Sequence, residues 1–272
     1  MERNMKNLLL ITGNSIAVIA TIIVNSLAVI LPLNGKTTQE LSDALPNLFV
    51  PAGITFSIWS IIYVFFIIFM LYQIFNLIKK DKSDMTYVEK IGGWFILSSL
   101  ANIAWIFLWH YEYVTISLAA MLLLFISLLM IYLRLNIGLS TVQLKEKIAV
   151  HTTISIYLGW ITVATIANVT AVLVKLDVGD LVLGQSNWTI LVISVATLIT
   201  ALMLLRRKDI AYSLVIIWAL LGIIIKRLGD DPIYGVQTNI AITATIAIII
   251  VALIIGITIP NIYKKTQIIK DN

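Results

Sequence analysis

Long apolar runs separated by short polar segments make up most of the chain. Eight of these runs approach or exceed the ~20 residues that a helix needs to cross a bilayer. They are residues 8–33, 53–78, 88–109, 113–135, 148–174, 188–205, 210–225 and 236–259. Their apolar residues are continuous and do not alternate with polar ones, which favours helices over barrel strands. The pattern predicts an all-α integral membrane protein with about eight transmembrane helices.

The first run resembles a signal peptide in one respect, since Arg3 and Lys6 precede it. Its apolar stretch is longer than the ~7–15 residues of a signal-peptide core, and no clear small-x-small cleavage site follows. We therefore expect a retained transmembrane helix.

The composition also favours a membrane protein. Hydrophobic residues make up 60% of the chain and charged residues only 12%, whereas soluble proteins carry about 25% charged residues. The chain has no cysteine, which excludes disulfides, thiolate metal sites and thiol nucleophiles. A net charge of +5 would suggest nucleic acid in a soluble protein, but here the basic residues lie in short segments between apolar runs. We expect the lipid bilayer as a partner and no nucleic acid.

Basic residues alternate from one side of the predicted helices to the other. One set of segments carries Arg3, Lys6, Lys79, Lys80, Lys82, Lys90, Arg134, Lys145, Lys147, Arg206, Arg207, Lys208, Lys264, Lys265 and Lys270. The opposite set carries only Lys36, Lys175, Lys226 and Arg227. Since Lys and Arg concentrate in cytoplasmic loops, the pattern predicts cytoplasmic N and C termini. One helix more or fewer would scramble this alternation, which supports the count of eight.

Polar and aromatic residues interrupt the apolar runs at helical spacing, which places them on shared faces. They are Asn25 in the first run, Trp59 and Tyr63 in the second, Asn102, Trp105 and Trp109 in the third, and Tyr157, Trp160, Ala164 and Asn168 in the fifth. In the predicted orientation, most of them fall in the outer halves of their helices. Because polar groups in hydrocarbon usually face a bundle interior or a cavity, the pattern predicts a shared pocket open toward the outer side.

A purely structural alternative fits the same residues. Asn102 and Asn168 would then bond across helices, and the tryptophans would form a belt at the membrane interface. Trp109 and Trp188 fit such a belt better than the pocket. The residues alone leave both interpretations open.

Three motifs on these runs resemble signatures of the TspO/MBR family, the tryptophan-rich sensory proteins and the mitochondrial translocator protein. Residues 49–53, Phe-Val-Pro-Ala-Gly, followed by Trp59-Ser-Ile-Ile-Tyr63, resemble the second-helix signature with its W-x-x-[LI]-Y pattern. Asn102-Ile-Ala-Trp105 resembles the third-helix N-x-x-W. Tyr157-Leu-Gly-Trp160, with Ala164 and Asn168, resembles the fifth-helix Y-x-x-W-x-x-x-A-x-x-x-N. Each motif is weak alone, but three in the right order are fairly specific.

The resemblance covers residues 8–175, and the whole chain looks like the longer, extended branch of the family. It implies a TspO-like five-helix membrane unit over residues 1–175, with three additional transmembrane helices over residues 176–272. It implies a receptor or sensor-type protein that binds a hydrophobic planar ligand, porphyrin, haem or sterol-like, and regulates or traffics it. It also implies frequent dimers. We expect the protein in the plasma membrane of a prokaryote, with the ligand in an outer-leaflet pocket.

The implied ligand-binding residues are Trp59, Tyr63, Asn102, Trp105, Tyr157, Trp160, Ala164 and Asn168, together with Asn25 and Lys36. Lys36 enters because a porphyrin carries two carboxylates, and this lysine lies in the segment that would cover the pocket. The chain departs from the family at Ile156, where relatives have a proline, and at the single Pro51 in place of a double proline. Residues 33–48 also lack the tryptophan that often covers the pocket. These departures bear on the ligand more than on the fold.

Signals for an enzyme are weak. His110 and Glu112 in one turn, with His151 elsewhere, do not make a metal site, and no G-x-S-x-G, H-E-x-x-H or phosphate loop occurs. Asp230-Asp231-Pro232 could bind a cation, but it indicates a turn more simply, since Asp and Pro favour turns. We expect no metal, no required cofactor and no ordinary turnover, and the resemblance leaves light-dependent porphyrin breakdown open. The alternative function is a small-molecule membrane transporter. The sequence shows no internal repeat and no acidic residue in a helix core, and both absences argue against coupled transport.

Overall fold

Helices account for most of the chain, and no strand occurs among the residues described. The computed structural model describes residues 2–31, 33–45, 47–79, 85–178, 184–229, 231 and 233–271, with 2, 3 and 261–271 described by their backbone alone. The helices are α1 (Glu2–Ile30), α2 (Thr38–Asp43), α3 (Ile58–Ile78), α4 (Thr86–Ile91), α5 (Trp94–His110), α6 (Val114–Arg134), α7 (Leu144–Glu146), α8 (Thr153–Lys175), α9 (Gly184–Arg207), α10 (Ile210–Leu228) and α11 (Thr238–Asp271). A π-helical turn, Lys147–Thr152, joins α7 to α8, and the 3-10 turn Gly53–Ser57 leads into α3.

The predicted membrane architecture is confirmed. Within the described residues, seven helical spans are long and apolar enough to cross a bilayer, and α5 is a shorter apolar helix. At 17 residues, α5 lies at the lower end of the range that spans hydrocarbon. The chain is therefore an all-α, multi-pass membrane protein with about eight transmembrane helices.

The third predicted run, 88–109, is not one continuous helix. It breaks at Gly92, whose φ of +55° lies in the left-handed region that ends helices and favours glycine. Helix α4 therefore ends at Ile91, and α5 begins at Trp94. The prediction of a continuous helix was wrong because hydropathy does not register a backbone break between two apolar segments.

Many polar side chains lie inside the bundle beside an apolar core, and large apolar side chains also cover its outer surface. Asn14 and Gln73 are fully buried, and Asn14 Nδ2 donates to Gln73 Oε1 at 2.9 Å, which joins α1 to α3. Large apolar side chains such as Leu71 and Leu253 are exposed on the outer faces of their helices. This distribution is the one that a hydrocarbon solvent favours.

Five spanning helices close into a ring in the order α1, α3, α8, α6 and α5, with α5 again against α1. The other three helices, α9, α10 and α11, form what we call the third layer. In it, α10 packs on α8 and on the turn before α3, while α9 and α11 pack on α10 and on each other.

At one end of α10, buried Asp209 accepts from Ser155 Oγ at 2.7 Å and from the Tyr212 amide at 3.1 Å. Burial raises the pKa of the Asp209 carboxyl. This contact fixes the third layer to the ring.

The loop cations segregate to two ends of the bundle. We call α2 and the residues that flank it, 33–45 and 47–57, the lid segment or lid. The end of the bundle that carries it is the lid end. Lys36, Lys175 and Lys226 lie there, whereas Arg134 and Arg207 lie at the opposite end. Lys80, Lys82, Asp230 and Pro232, and the side chains of Arg3, Lys264, Lys265 and Lys270, lie outside the described residues. Which end faces the cytoplasm stays a prediction from the charge pattern.

Candidate functional site

A cavity of about 50 Å³ lies at the lid end of the five-helix ring. Helices α2, α3, α5, α6 and α8 and the segment before α3 surround it. Its lining is Thr38, Ser42, Pro51, Phe56, Trp59, Asn102, Trp105, Trp109, Met121, Trp160, Ile161, Val163, Ala164, Ala167 and Asn168. The wall is mainly apolar and aromatic, with a few polar groups, as is usual for small-molecule sites. The volume is well below the ~300 Å³ at which such sites begin.

Four tryptophans build the aromatic wall of the cavity. Trp105 and Trp109, one helical turn apart on α5, stack with ring centroids 5.6 Å apart. Trp59 meets the edge of Trp160 at 6.4 Å, and Phe56 meets Trp160 at 5.9 Å. Edge and offset contacts of this kind add to the stability of aromatic clusters. The rings present flat apolar surfaces toward the cavity.

Two asparagines supply the polar part of the wall. Asn168 Oδ1 accepts from Trp105 Nε1 at 3.0 Å, and its amide donates to Ser117 Oγ at 3.2 Å. Asn102 Oδ1 accepts from Asn25 Nδ2 at 2.6 Å. The Asn102 amide nitrogen lies near the Tyr157 hydroxyl but makes no hydrogen bond of good geometry with any described residue. Each asparagine thus joins helices and also lines the cavity.

A larger groove of about 500 Å³ lies on the other side of this wall, between α1 and α3. It contains Asn25 and Tyr63, and Tyr63 stacks on Trp59 at 5.7 Å. Thr38, Phe56, Trp59 and Trp105 border both spaces. A partition of three aromatic rings therefore separates a small cavity from a large groove.

The short helix α2 covers the lid end of the cavity. It begins with a capping box, in which the Glu40 amide donates to Thr37 Oγ1 and the Thr37 amide donates to Glu40 Oε2. These hydrogen bonds from Thr37 hold the pKa of Glu40 below its usual value. The cap sets α2 so that Thr38 and Ser42, four residues apart, face the cavity.

The α5–α6 turn holds the start of the lid. Lys36 donates to Glu112 Oε1 at 2.8 Å, and Lys175 donates to the Glu112 carbonyl at 2.8 Å. The hydrogen bond from Lys36 and its charge hold the pKa of Glu112 below its usual value. Trp109 Nε1 also donates to the Thr38 carbonyl at 3.4 Å.

Helix α10 holds the end of the lid segment. The Ala52 amide donates to the Gly222 carbonyl at 2.9 Å, and Trp218 Nε1 donates to the Thr55 carbonyl at 2.9 Å. Lys226 forms an ion pair with Asp43 at the end of α2. The third layer of helices is thus attached directly to the cover of the cavity.

The structure places the ten predicted ligand-binding residues in four positions. Trp59, Asn102, Trp105, Trp160, Ala164 and Asn168 line the cavity, and Asn25 and Tyr63 line the groove. Tyr157 is buried behind the wall, 1% exposed, with its ring 6.1 Å from Trp59. Lys36 lines neither space and is paired with Glu112. Their roles in binding stay predictions.

Several lining residues were not predicted. Trp109, expected in an interfacial belt, is only 5% exposed and lies in the wall, whereas Trp188 is 41% exposed. Thr38 and Ser42 lie in a loop helix too short for hydropathy to detect, although the Thr37 and Glu40 capping pair signals its start.

His110 and Asp231, which the sequence analysis set aside as metal ligands, make other contacts. His110 Nδ1 lies 2.7 Å from the Ile106 carbonyl, and Asp231 Oδ1 accepts from the amides of Ile233 and Tyr234, as in a turn. No group of three or more His, Asp or Glu side chains that could hold a metal ion occurs in the part of the chain that the structure describes.

A family model described as TSPO-like protein matches residues 9–257. The match extends over α9, α10 and the first part of α11, which the sequence motifs had left outside the resemblance. Neither the curated proteins nor the solved structures give a significant match. Because the matched segment covers most of the 272 residues, the resemblance seen in the motifs is confirmed, and the chain belongs to the family of TSPO-like proteins.

Proposed function

We propose that this TSPO-like membrane protein binds a hydrophobic planar molecule, porphyrin, haem or sterol-like, at its lid end, and regulates or traffics it. The observation that carries the proposal is the aromatic partition. Phe56, Trp59 and Trp105 separate a cavity of about 50 Å³ from a groove of about 500 Å³. A flat ligand that inserts beside these rings would join the two spaces.

The chemistry of the wall favours a flat, mostly apolar ligand with few polar groups. Tryptophan rings offer planar faces, and Asn102 offers an amide without a well-placed partner among the described residues. Ala164 leaves room beside Trp160 on α8. The cavity alone is too small for such a ligand, so the proposal requires the partition side chains to move when the ligand binds.

Further parts of the proposal rest on the sequence alone. We propose a five-helix unit over 1–175 with three further helices over 176–272, and assembly as homodimers. We also propose that the protein lies in a prokaryotic plasma membrane, with cytoplasmic termini and an outer-leaflet pocket. Chemical crosslinking in native membranes tests the dimer.

The direct test is quenching of tryptophan fluorescence by protoporphyrin IX in detergent. We expect Trp105→Ala and Trp160→Ala each to weaken the apparent affinity by about tenfold, the equivalent of ~1.4 kcal/mol. Trp188→Ala, on the exposed face of α9, is the matched control and should leave the affinity unchanged. Ala164→Leu fills the cavity without removing a tryptophan and should weaken binding as well. Affinity unchanged in Ala164→Leu and in the Trp105/Trp160 double variant would sink the proposal.

A small-molecule transporter is the alternative. Proteoliposome uptake that collapses when an ion gradient is dissipated would favour transport over sensing.

A further inference from the structure

A second pocket, of about 410 Å³, lies between the lid segment and the connection from α10 to α11. Its charged and polar lining comes from both sides, and Ser42 is the residue it shares with the aromatic cavity. The residues that matter for its chemistry are Asp43, Asn47, Lys226, Arg227, Asp231 and Tyr234. The pocket therefore differs in character from the aromatic site beside it.

Arg227 is fully buried in the lining of this pocket, with 0% exposure. Its Nη2 lies 2.9 Å from Asp231 Oδ2, and its guanidinium lies over the Tyr234 ring at 5.9 Å. Nε and Nη1 have no hydrogen-bond partner among the described residues. A buried guanidinium normally uses its donors, because an unsatisfied buried donor costs about 1–3 kcal/mol. Arg227 thus holds three N–H groups that the fold does not use.

The neighbouring charges are already engaged. Asp231 accepts from the amides of Ile233 and Tyr234 at 2.9 and 3.1 Å. Burial by itself would raise the pKa of Asp231, but these amides and the charges of Arg227 and Lys226 hold it below its usual value. Lys226 is paired with Asp43. The two acidic and two basic side chains among the described residues of the lining balance in charge, and the unused capacity is that of a hydrogen-bond donor.

Asn47 is held by its own loop. Its Nδ2 donates to the Leu45 carbonyl, and its Oδ1 accepts from the amides of Phe49 and Val50. Among the described residues of the lining, the fully buried side-chain nitrogens without a hydrogen bond belong to Arg227. Oxygen acceptors with negative charge are what a guanidinium binds best.

We propose that this pocket binds a phosphate or carboxylate group, held by the free N–H groups of Arg227, with Lys226 beside it. The pocket lies at the lid end, where a spanning helix reaches the membrane boundary, so the group belongs either to a soluble small molecule or to a lipid headgroup. The volume exceeds that of a bare phosphate and leaves room for an organic remainder. This site is independent of the planar ligand.

The test measures thermal unfolding of the purified full-length protein. In detergent, inorganic phosphate, glycerol phosphate and acetate are titrated at constant ionic strength against chloride. In nanodiscs, phosphatidylglycerol is compared with phosphatidylcholine. The test variant is the double substitution Arg227→Gln and Asp231→Asn, which removes both members of the buried pair and leaves no lone charge. Lys175→Gln removes one cation at the same end, outside the pocket, and is the matched control.

We expect saturable stabilisation of the wild type by at least one probe, with the apparent affinity about tenfold or more weaker in the double variant and unchanged in Lys175→Gln. Stabilisation by phosphate, glycerol phosphate or acetate identifies a soluble ligand, and stabilisation by phosphatidylglycerol alone identifies a headgroup. Equal responses of wild type and double variant, or no saturable response to any probe, would overturn the proposal. Because Trp160→Ala should leave these responses intact, failure here is distinguishable from failure of the planar-ligand site.

Discussion

At the scale of single residues, the buried asparagines serve two purposes at once. Asn168 joins α5, α6 and α8 through Trp105 and Ser117, and it also borders the cavity. The two interpretations left open by the sequence, structural hydrogen bonding and pocket lining, therefore describe the same atoms. A substitution at such a residue changes both stability and any binding, so the two effects need separate measurements.

The hydrogen bond between Trp105 and Asn168 can be isolated by a double-mutant cycle. With Trp105→Phe and Asn168→Leu, we expect a coupling of about 0.6 kcal/mol in the free energy of unfolding, the average for hydrogen bonds between membrane helices, and at most about 1.7 kcal/mol. The measurement is reversible unfolding in mixed micelles. Asn168→Leu paired with Leu253→Ala, which alters an exposed side chain on α11, should give additive effects. Additivity in the first cycle as well would show that the bond contributes nothing.

Gly222 is a point of close approach between α10 and the entry to α3. A Cβ atom there would overlap the Thr55 hydroxyl and lie 3.0 Å from the Pro51 Cβ. Gly222→Ala gains up to ~1 kcal/mol of helix propensity, but overpacking against the fully buried Thr55 costs about 1–3 kcal/mol. We expect net destabilisation in thermal unfolding.

Gly256 on α11 is the matched control for this prediction. No atom lies within 4 Å of a Cβ built there, so Gly256→Ala should be neutral or stabilising. A Gly222→Ala protein as stable as the Gly256→Ala protein would contradict the close approach.

At the scale of elements, the lid helix α2 should respond to acid. The pKa values of Glu40 and Glu112 are lower in the folded protein than their ordinary 4.5. The capping box and the Lys36 pair therefore stabilise the lid above that pH, and their contribution is lost as pH falls through the lowered values. We expect a nitroxide at Ala44→Cys, the C-cap of α2 in a chain without native cysteine, to gain mobility below about pH 4.5.

The control replaces both acids. In the Glu40→Gln and Glu112→Gln double variant, the label should be mobile at neutral pH and change little on acidification. An acid response that persists in the double variant would assign it to other groups.

Hydropathy predicted the long elements well and the short ones poorly. The second run, 53–78, matches the 3-10 turn and α3 together, because uninterrupted apolar residues leave few choices in lipid. The π-helical turn at Lys147–Thr152 and the break at Gly92 carry no hydropathy signal, since hydropathy reports side-chain polarity and not backbone geometry. Backbone geometry of this kind depends on packing against neighbours.

The candidate site was predictable in so far as helical spacing determines it. Asn102 and Trp105 share a face of α5, and that face lines the cavity. Lys36 illustrates the limit, because its pairing with Glu112 joins segments 76 residues apart. Pro51 and Thr38 reach the wall through the fold of the loop, which no periodic pattern encodes.

At the scale of the whole molecule, the ring and the third layer should associate without a covalent link. Asp209, Gly222 and Trp218 supply contacts from α10 to the ring and lid. We expect residues 1–181 and 182–272, co-expressed as separate chains, to copurify in detergent. Gly222→Leu in the second chain should reduce recovery and Gly256→Leu should not. Independent elution of the two chains would show that the layer is only tethered.

The groove between α1 and α3 has a consequence for how affinity is measured. Because both walls are spanning helices, we expect an apolar ligand of the proposed kind to enter the groove sideways from the hydrocarbon. Occupancy then follows the mole fraction of that molecule among the lipids, and its aqueous concentration matters only through partitioning. Doubling the lipid at fixed amounts of protein and of a strongly partitioning ligand should therefore nearly double the apparent aqueous dissociation constant, while the constant expressed per lipid stays fixed.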